Sequence, residues 1–306
     1  MRVVVFGATG TIGRALLPVL AGEHEIVAVS RDEHPQSDDG IAWVRADATD
    51  AESVAAALAG ADVAYYLVHS LGSPDFAFRD RLAAETMARE AAAVGLRQII
   101  YLGGLGDDSP DLSAHLRSRI ETGIALASGP VPVTTLRAAM VVGADSAAFE
   151  TILALVDRLP AMVCPRWVST PTQPIAIADV VHYLAAVCGR TACFGESYDV
   201  GGPDVMTYRE MIERIGRIRG RRPLIVEVPV LTPRLSSYWL HLVTPVGASV
   251  ARPLIEGLRN PTVARDERIR ELIPFELTPF ETAVQAALRE RREMTTPSPG
   301  RSIDLG

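Results

Sequence analysis

Arg2-Val3-Val4-Val5-Phe6-Gly7-Ala8-Thr9-Gly10-Thr11-Ile12-Gly13 opens the chain, and an Ala- and Leu-rich stretch runs on from it to Ala21. The first part is short, apolar and β-branched, as a strand covered on both faces of a parallel sheet must be. The part from Thr11 to Ala21 predicts a helix. Between them Gly7 permits a tight turn, Gly10 lets backbone approach a pyrophosphate, and Gly13 lets the helix pack closely on the strand. The helix start then offers free N–H groups and a partial positive charge to phosphate, with the hydroxyls of Thr9 and Thr11 as further donors. A lone glycine-rich heptapeptide says little, but one set between such a strand and helix predicts a dinucleotide site over Gly7, Thr9, Gly10, Thr11, Ile12 and Gly13.

The same rhythm continues outward. Strands are expected at Arg2–Phe6, Glu25–Val29, Ile41–Val44, Asp62–Val68, Gln98–Leu102 and Val133–Leu136. Helices are expected near Thr11–Ala21, Ala51–Ala59, Ala77–Val94 and Ser113–Ser128, several closing at Gly22, Gly60 or Gly95 in a left-handed cap. This alternation specifies an α/β fold, a Rossmann doubly wound parallel sheet with helices on both faces. After Gly143 the pattern loosens around Pro160, Pro165, Pro171 and Pro174. A helix near Ser146–Leu159, another starting at Ile177-Ala178-Asp179, a strand at Tyr198–Val200 and a helix from Thr207 to about Arg219 follow. We expect one extended domain over residues 1–290, its core at about 1–145 plus 175–202. A small C-terminal substrate lobe is expected from 146–174 and 203–290, and a disordered tail over 294–306.

Composition narrows the classes. The chain has 306 residues, 48% hydrophobic and 22% charged, with a net charge of −7 that argues against nucleic acid as a partner. Cys164, Cys188 and Cys193 are too few and too irregular for a disulfide framework or zinc site, so they read as reduced packing residues and no metal is expected. The most apolar stretch, Tyr238 to Leu258, is broken by His241, Pro245, Arg252, Pro253 and Glu256, a poor membrane span. With no signal-peptide pattern at the start, a cytoplasmic location is the default expectation. All 30 basic residues are arginine; the sequence contains no lysine.

The second strand decides which dinucleotide. An Asp or Glu at its tip accepts from ribose hydroxyls and selects NAD(H), but here it ends Val29-Ser30-Arg31. An uncharged Ser30 followed by the planar fork of Arg31 suits a 2′-phosphate, so NADP(H) is favoured over NAD(H), with Asp32 as the opposing charge. After the third strand, Asp47 and Ala48 lie where the adenine is expected. Asp47 reads either as acceptor for the adenine amino group or as a helix cap, a role Thr49 or Asp50 also fits.

Gly7–Gly13, Asp47 with Asp50, Leu136-Arg137-Ala138 leading to Gly143, and Ile175–Asp179 together resemble an extended or atypical short-chain dehydrogenase/reductase. Ala64–Ser70, Ile100–Leu105, His115–Arg119 and Pro233–Trp239 are similar to a bacterial NAD(P)H-binding branch of it. That branch also resembles the accessory NAD(P)H-binding subunit of respiratory complex I and the nitrogen-metabolite-repression regulators. The resemblance covers roughly residues 1–285 and implies cofactor contacts at Leu67, Val68 and His69 at the end of the fourth strand, at Arg119, and at Gly143. It also implies a catalytic set of Ser or Thr, then Tyr and Lys four apart on one helix face. The matching positions hold Gly103 or Gly104, His115 and Arg119, and a chain without lysine cannot carry the Tyr–Lys pair anywhere. His115, Arg119 and His69 are therefore the candidates for chemistry. A neighbouring guanidinium would lower the His115 pKa, leaving a base rather than an acid. Arg137 reads as structural, and Tyr238, Trp239 and Leu240 as packing or as an aromatic wall over the cleft.

Two functions follow. One is an oxidoreductase, or a cofactor-using isomerase, acting on a small organic substrate such as a quinone or enone. Positioning can carry hydride transfer, and such acceptors need little proton donation. The other is a non-catalytic NADP(H) sensor or assembly factor read by a protein partner. The oligomeric state is not written in the sequence.

Overall fold

A computed structural model describes residues 1–33, 40–70, 72–106, 112–228 and 256–295. The aromatic-wall residues Tyr238, Trp239, Leu240 and Pro245, the segment Pro233–Trp239, and His34 and His241 lie outside them.

The opening stretch folds as expected into β1 (Arg2–Phe6) and α1 (Thr11–Ala21). The chain continues through β2 (Glu25–Ser30), β3 (Ile41–Arg45), α2 (Ala51–Leu58), β4 (Val63–Tyr66), α3 (Phe76–Val94), β5 (Gln98–Gly104), α4 (Ala114–Leu126) and β6 (Val133–Ala138). With β11 (Ser197–Val200) these strands form a seven-stranded sheet in the order β11-β6-β5-β4-β1-β2-β3. Every neighbouring pair in it is parallel. The strand order reverses direction between β1 and β4, and ligands of open α/β sheets bind in such a crevice at the carboxyl ends of the strands.

Both faces of the sheet are covered because its central strands are apolar on both sides, with polar residues mainly at strand ends and in β6 and β11. Val3, Val5 and Tyr65 pack with Leu16, Leu17 and Leu20 of α1 and with α6 (Ile177–Ala186) on one side. Val4, Phe6 and Tyr66 pack with α2 and α3 on the other. Each fully buried large side chain of this kind contributes about 1.5–3 kcal/mol.

A third apolar cluster gathers most of the later elements. It joins Phe149 and Ile152 of α5 (Ala147–Arg158), Met211 and Ile215 of α7 (Tyr208–Ile218), and Val284 and Leu288 of α9 (Phe280–Thr295). The short helix α8 (Arg268–Leu272) instead packs Ile269 on the first cluster. Short strand pairs frame the rest. β7 (Val141–Val142) pairs with β10 (Ile175–Ala176), β9 (Pro171–Thr172) with β12 (Met206–Thr207), and β8 (Ala161–Pro165) with β13 (Leu224–Val228). Thr207 caps α7 in a reciprocal capping box with Glu210.

Two expectations are corrected. Gly60 and Gly95 take left-handed φ values of 71° and 72°, but Gly22 stays at φ −67°. There Leu20 O accepts from the N–H groups of Gly22, Glu23 and His24, so the helix end tightens without a left-handed residue. The C-terminal tail was expected from 294, yet Met294 and Thr295 continue α9, with the Thr295 hydroxyl donating to Arg291 O at 2.8 Å. Residues 296–306 lie outside the described residues. Asp179, expected merely to sit near a helix start, is buried and accepts from the N–H and hydroxyl of Thr278 at 2.9 and 2.8 Å, anchoring the approach to α9.

Candidate functional site

The three turn glycines are required for three different reasons. Gly7 sits at φ +84°, and a Cβ there would stand 2.8 Å from the Leu67 backbone. At Gly13 it would stand 2.3 Å from Gly7 O, so only glycine lets α1 start against β1. At Gly10 it would meet nothing nearer than Gly7 O at 3.3 Å. The backbone face of Gly10 is thus open outward, and the turn fits a dinucleotide pyrophosphate. The Thr9 side chain is free to serve it, whereas the Thr11 hydroxyl donates to Asp145 O at 3.2 Å and is committed.

Gly7, Gly10, Thr11, Ile12 and Gly13 form one end of a cleft of about 490 Å³, among the described residues. Its walls include Leu67 and His69 after β4, Leu102 to Leu105 of β5 and beyond, and His115 and Arg119 of α4. Met140, Ile152, Tyr208 and Leu258 close it on the side of the third core. The sequence thus brings its three candidates, His69, His115 and Arg119, to one place from two separate elements.

Their electrostatics are set by enclosure. Burial is the main cause that holds the His115 imidazole down to about 3, with Arg119 and then His69 adding to it. His69 lines the cleft and is exposed by surface area; the protein crowded around it and then Arg119 hold its imidazole down to about 4. The expected effect of the guanidinium is present but second to desolvation. Arg119 itself donates to the Leu102 carbonyl and lies over the Tyr101 ring, 5.0 Å from its centroid. The Tyr101 hydroxyl donates back to Arg119 O at 2.8 Å. Of the two glycines that match the family's Ser, a Cβ on Gly103 would meet the Tyr101 ring at 3.2 Å, and one on Gly104 would meet the Leu116 side chain at 3.1 Å.

Thr9, Ser30, Arg31, Asp47 and Ala48 do not line this cleft; at the tip of β2 the buried Ser30 accepts the Asp32 N–H on Oγ at 3.1 Å, which leaves its own proton free. The exposed Arg31 follows it, and Arg45 Nε donates to Arg31 O at 3.1 Å. Asp50, not Asp47, caps α2 by accepting from Ser53 N. One Asp47 oxygen accepts from both the N–H and the hydroxyl of Thr49, at 2.9 and 2.7 Å, which holds the carboxyl below its usual range.

Two expected contacts are placed otherwise. Gly143 is buried with Ile177 at 3.1 Å from its missing Cβ and does not line the cleft; Asp145, two residues on, does. The Val68 side chain packs into the core behind the sheet, leaving Leu67 and His69 on the cleft side. Arg137 pairs with the buried Asp199 at 2.6 Å across β6 and β11, as its structural reading requires. Sequence reasoning missed Arg14, which is bonded to the Thr9 carbonyl and ion-paired with Asp145. It also missed the buried acid Asp80 behind His69. The position of Arg14 directly after Gly13 was the available signal.

No helix among the described residues is long and apolar enough to cross a membrane, and no cluster of possible metal ligands is found among them. The NAD(P)H-binding family model matches residues 7–125. The chain is 27% identical over 241 residues to the mitochondrial NADH dehydrogenase [ubiquinone] 1 alpha subcomplex subunit 9 of Arabidopsis thaliana, covering 74% of this chain and 60% of that one. It is 26% identical over 222 residues to the (4-alkanoyl-5-oxo-2,5-dihydrofuran-3-yl)methyl phosphate reductase of Streptomyces griseus, covering 72% and 74%. The Citrobacter sp. triphenylmethane reductase complexed with NADP(H) superposes with a TM-score of 0.75 at 18% identity, over 94% of this chain and 100% of that one. The Escherichia coli NADPH-dependent quinone oxidoreductase complexed with NADPH does so with 0.74 at 18%, over 95% and 99%. Residues 7–125 thus match the NAD(P)H-binding family model and sit in a Rossmann-type fold shared with these two reductases.

Proposed function

We propose that the chain is an NADPH-dependent reductase of a small conjugated acceptor such as a quinone or an enone. One observation carries this reading: the glycine turn and the constellation of His69, His115 and Arg119 line a single, largely apolar cleft. Bound NADPH would supply a hydride. The apolar wall of Met140, Ile152 and Leu258 suits a flat organic ring. Arg119 keeps a fixed positive charge, which favours negative charge developing on an acceptor. The two histidines are neutral near pH 7, so they orient an acceptor oxygen through an N–H rather than donate a full proton. A conjugated acceptor delocalises the charge it receives and takes its proton from solvent, which suits a site without a Tyr–Lys pair.

For the cofactor, Ser30 with a free hydroxyl proton and the exposed Arg31 support NADP(H) over NAD(H). Asp47 is our candidate for the adenine amino group, because Asp50 already serves as the helix cap. The relatives support the chemistry by what their names state, reduction of a dihydrofuran phosphate and of quinones.

The Arabidopsis relative is a subunit of a larger assembly, which favours a second reading, a non-catalytic NADP(H)-binding sensor or assembly factor. One experiment separates the two. NADPH is incubated with quinones, enones, aldehydes and ketones, and the absorbance of the reduced nicotinamide is followed. Turnover of a quinone or enone that His115→Ala and Arg119→Met reduce supports the reductase. Tight NADPH binding with no turnover in any class supports the sensor.

A further inference from the structure

We infer that Arg14 is the phosphate-binding cation of the glycine turn, held by Asp145 in the free protein and taken over by the cofactor pyrophosphate on binding. The inference rests on the dinucleotide reading of the turn and adds to it a residue pair and an exchange step.

Arg14 is the first residue after Gly13, in the opening turn of α1, with about half of its side chain exposed. Its guanidinium is bonded at once to the Thr9 carbonyl, inside the turn, and to the Asp145 carboxylate, which is less exposed. Asp145 is itself fixed there, because its carbonyl accepts the Thr11 hydroxyl at 3.2 Å. Asp145, Gly10 and Thr11 line the same end of the cleft. The turn therefore presents a carboxylate to the place where a pyrophosphate is to sit.

That arrangement is unfavourable for a doubly charged ligand unless the carboxylate is neutralised or its partner is redirected. The helix start offers only about half an elementary charge. A guanidinium has five N–H donors in a planar fork that matches phosphate as well as carboxylate, so it can release one anion for the other. The incoming group carries two charges and also gains the turn N–H groups, so it is the stronger partner. Asp145 then sets how much of the guanidinium's attraction is spent before the cofactor arrives.

A purely structural strap between the turn and the Asp145 loop would give a different pattern, and the two are separated by the sign of the variants. NADPH affinity of the full chain is measured by fluorescence titration for wild type, Arg14→Ala, Asp145→Asn and the double variant. Exchange predicts that Arg14→Ala weakens NADPH about tenfold or more and that Asp145→Asn tightens it about threefold. The double variant should recover part of the loss, since the opposing carboxylate is gone. Adenosine 2′-monophosphate lacks the pyrophosphate, so its own dissociation constant, obtained from competition corrected for each protein's NADPH affinity, should be equal for wild type and Arg14→Ala, which also shows that the variant is folded. Equal NADPH affinity in wild type and Arg14→Ala, or a weakening by Asp145→Asn equal to that of Arg14→Ala, overturns the inference. Wild-type protein that binds neither NADPH nor NADH overturns instead the cofactor reading beneath it.

Discussion

The carboxylate of Asp80 accepts the backbone N–H of Ser70 at 2.7 Å, and Asp80 is only 3% exposed. Ser70 directly follows His69, so a buried acid on α3 fixes the backbone that carries one cleft histidine. Its other oxygen faces the Ser118 hydroxyl at 3.4 Å, on the helix turn beyond His115. Burial raises the Asp80 carboxyl from its ordinary value. Removing the acceptor would leave a partly buried N–H unpaired, at a cost of about 1–3 kcal/mol. We therefore expect Asp80→Ala to melt lower than wild type, with Asp80→Asn between them because its amide oxygen can still accept from Ser70. Identical melting temperatures for wild type and Asp80→Ala would remove Asp80 as the positioning residue of this loop.

The glycine turn separates folding from binding. Gly13→Ala forces a Cβ to within 2.3 Å of Gly7 O, and overpacking of that kind costs about 1–3 kcal/mol. Gly10→Ala meets only Gly7 O at 3.3 Å, on the face turned outward. Gly13→Ala should lower the melting temperature of the cofactor-free protein, whereas Gly10→Ala should leave it nearly unchanged and weaken NADPH about tenfold. Calorimetry on the free variants, followed by titration, reads both. A Gly10→Ala protein with wild-type affinity would show that the pyrophosphate does not approach this backbone.

Much of this was legible in the sequence because it depends on local pattern. The strands β1 to β6 and the helices around them are stretches whose apolar period has only one reading, and α1 has the predicted bounds. His69, His115 and Arg119 were legible because the resemblance aligns His115 and Arg119 with the family's Tyr and Lys and sets His69 beside the nicotinamide ribose, and the structure brings all three to one cleft. Asp80 and Asp145 were not, because their roles depend on partners brought together by tertiary packing. Gly143 misled for the same reason: a glycine in a loop near a ligand site reads as a contact, but its bare face is occupied by Ile177.

The two cleft histidines should fail to titrate in the ordinary range. Their pKa values fall from 6.5 to about 4 for His69 and about 3 for His115, chiefly by burial. A basic group whose folded pKa lies below its unfolded one binds fewer protons when folded. Its full stabilising balance is thus present above pH 6.5 and is lost as pH falls toward 4. In cofactor-free protein with carbon-13-labelled histidine, two imidazole signals should remain neutral at pH 5.5. The melting temperature should fall between pH 7 and pH 5, less so in a His69→Asn/His115→Asn protein. Ordinary titration of all six histidines near pH 6.5 would contradict this.

Arg31 stands exposed at the tip of β2, beside a Ser30 that keeps its hydroxyl proton. A charge-assisted contact to a 2′-phosphate is worth about 1.5–3 kcal/mol, so Arg31→Ala should weaken NADPH about tenfold or more. NADH, which lacks that phosphate, should lose little. Equal loss for the two nucleotides would place Arg31 elsewhere on the cofactor. Equal NADPH affinity in wild type and variant would remove it from the site.

Arg119 has three jobs that one substitution can separate. It donates to the Leu102 carbonyl, covers the Tyr101 ring, and presses down the pKa of both histidines. Arg119→Met keeps an apolar chain over the ring but removes the donor and the charge. Because burial is the larger cause at His69 and His115, their pKa values should rise only part of the way toward 6.5. Reductase turnover should fall more than NADPH affinity if the charge acts on the acceptor rather than on the cofactor. An affinity loss as large as the turnover loss would instead assign the guanidinium to the cofactor. Histidine signals that do not move would show that its charge is screened from the cleft by the Leu102 carbonyl.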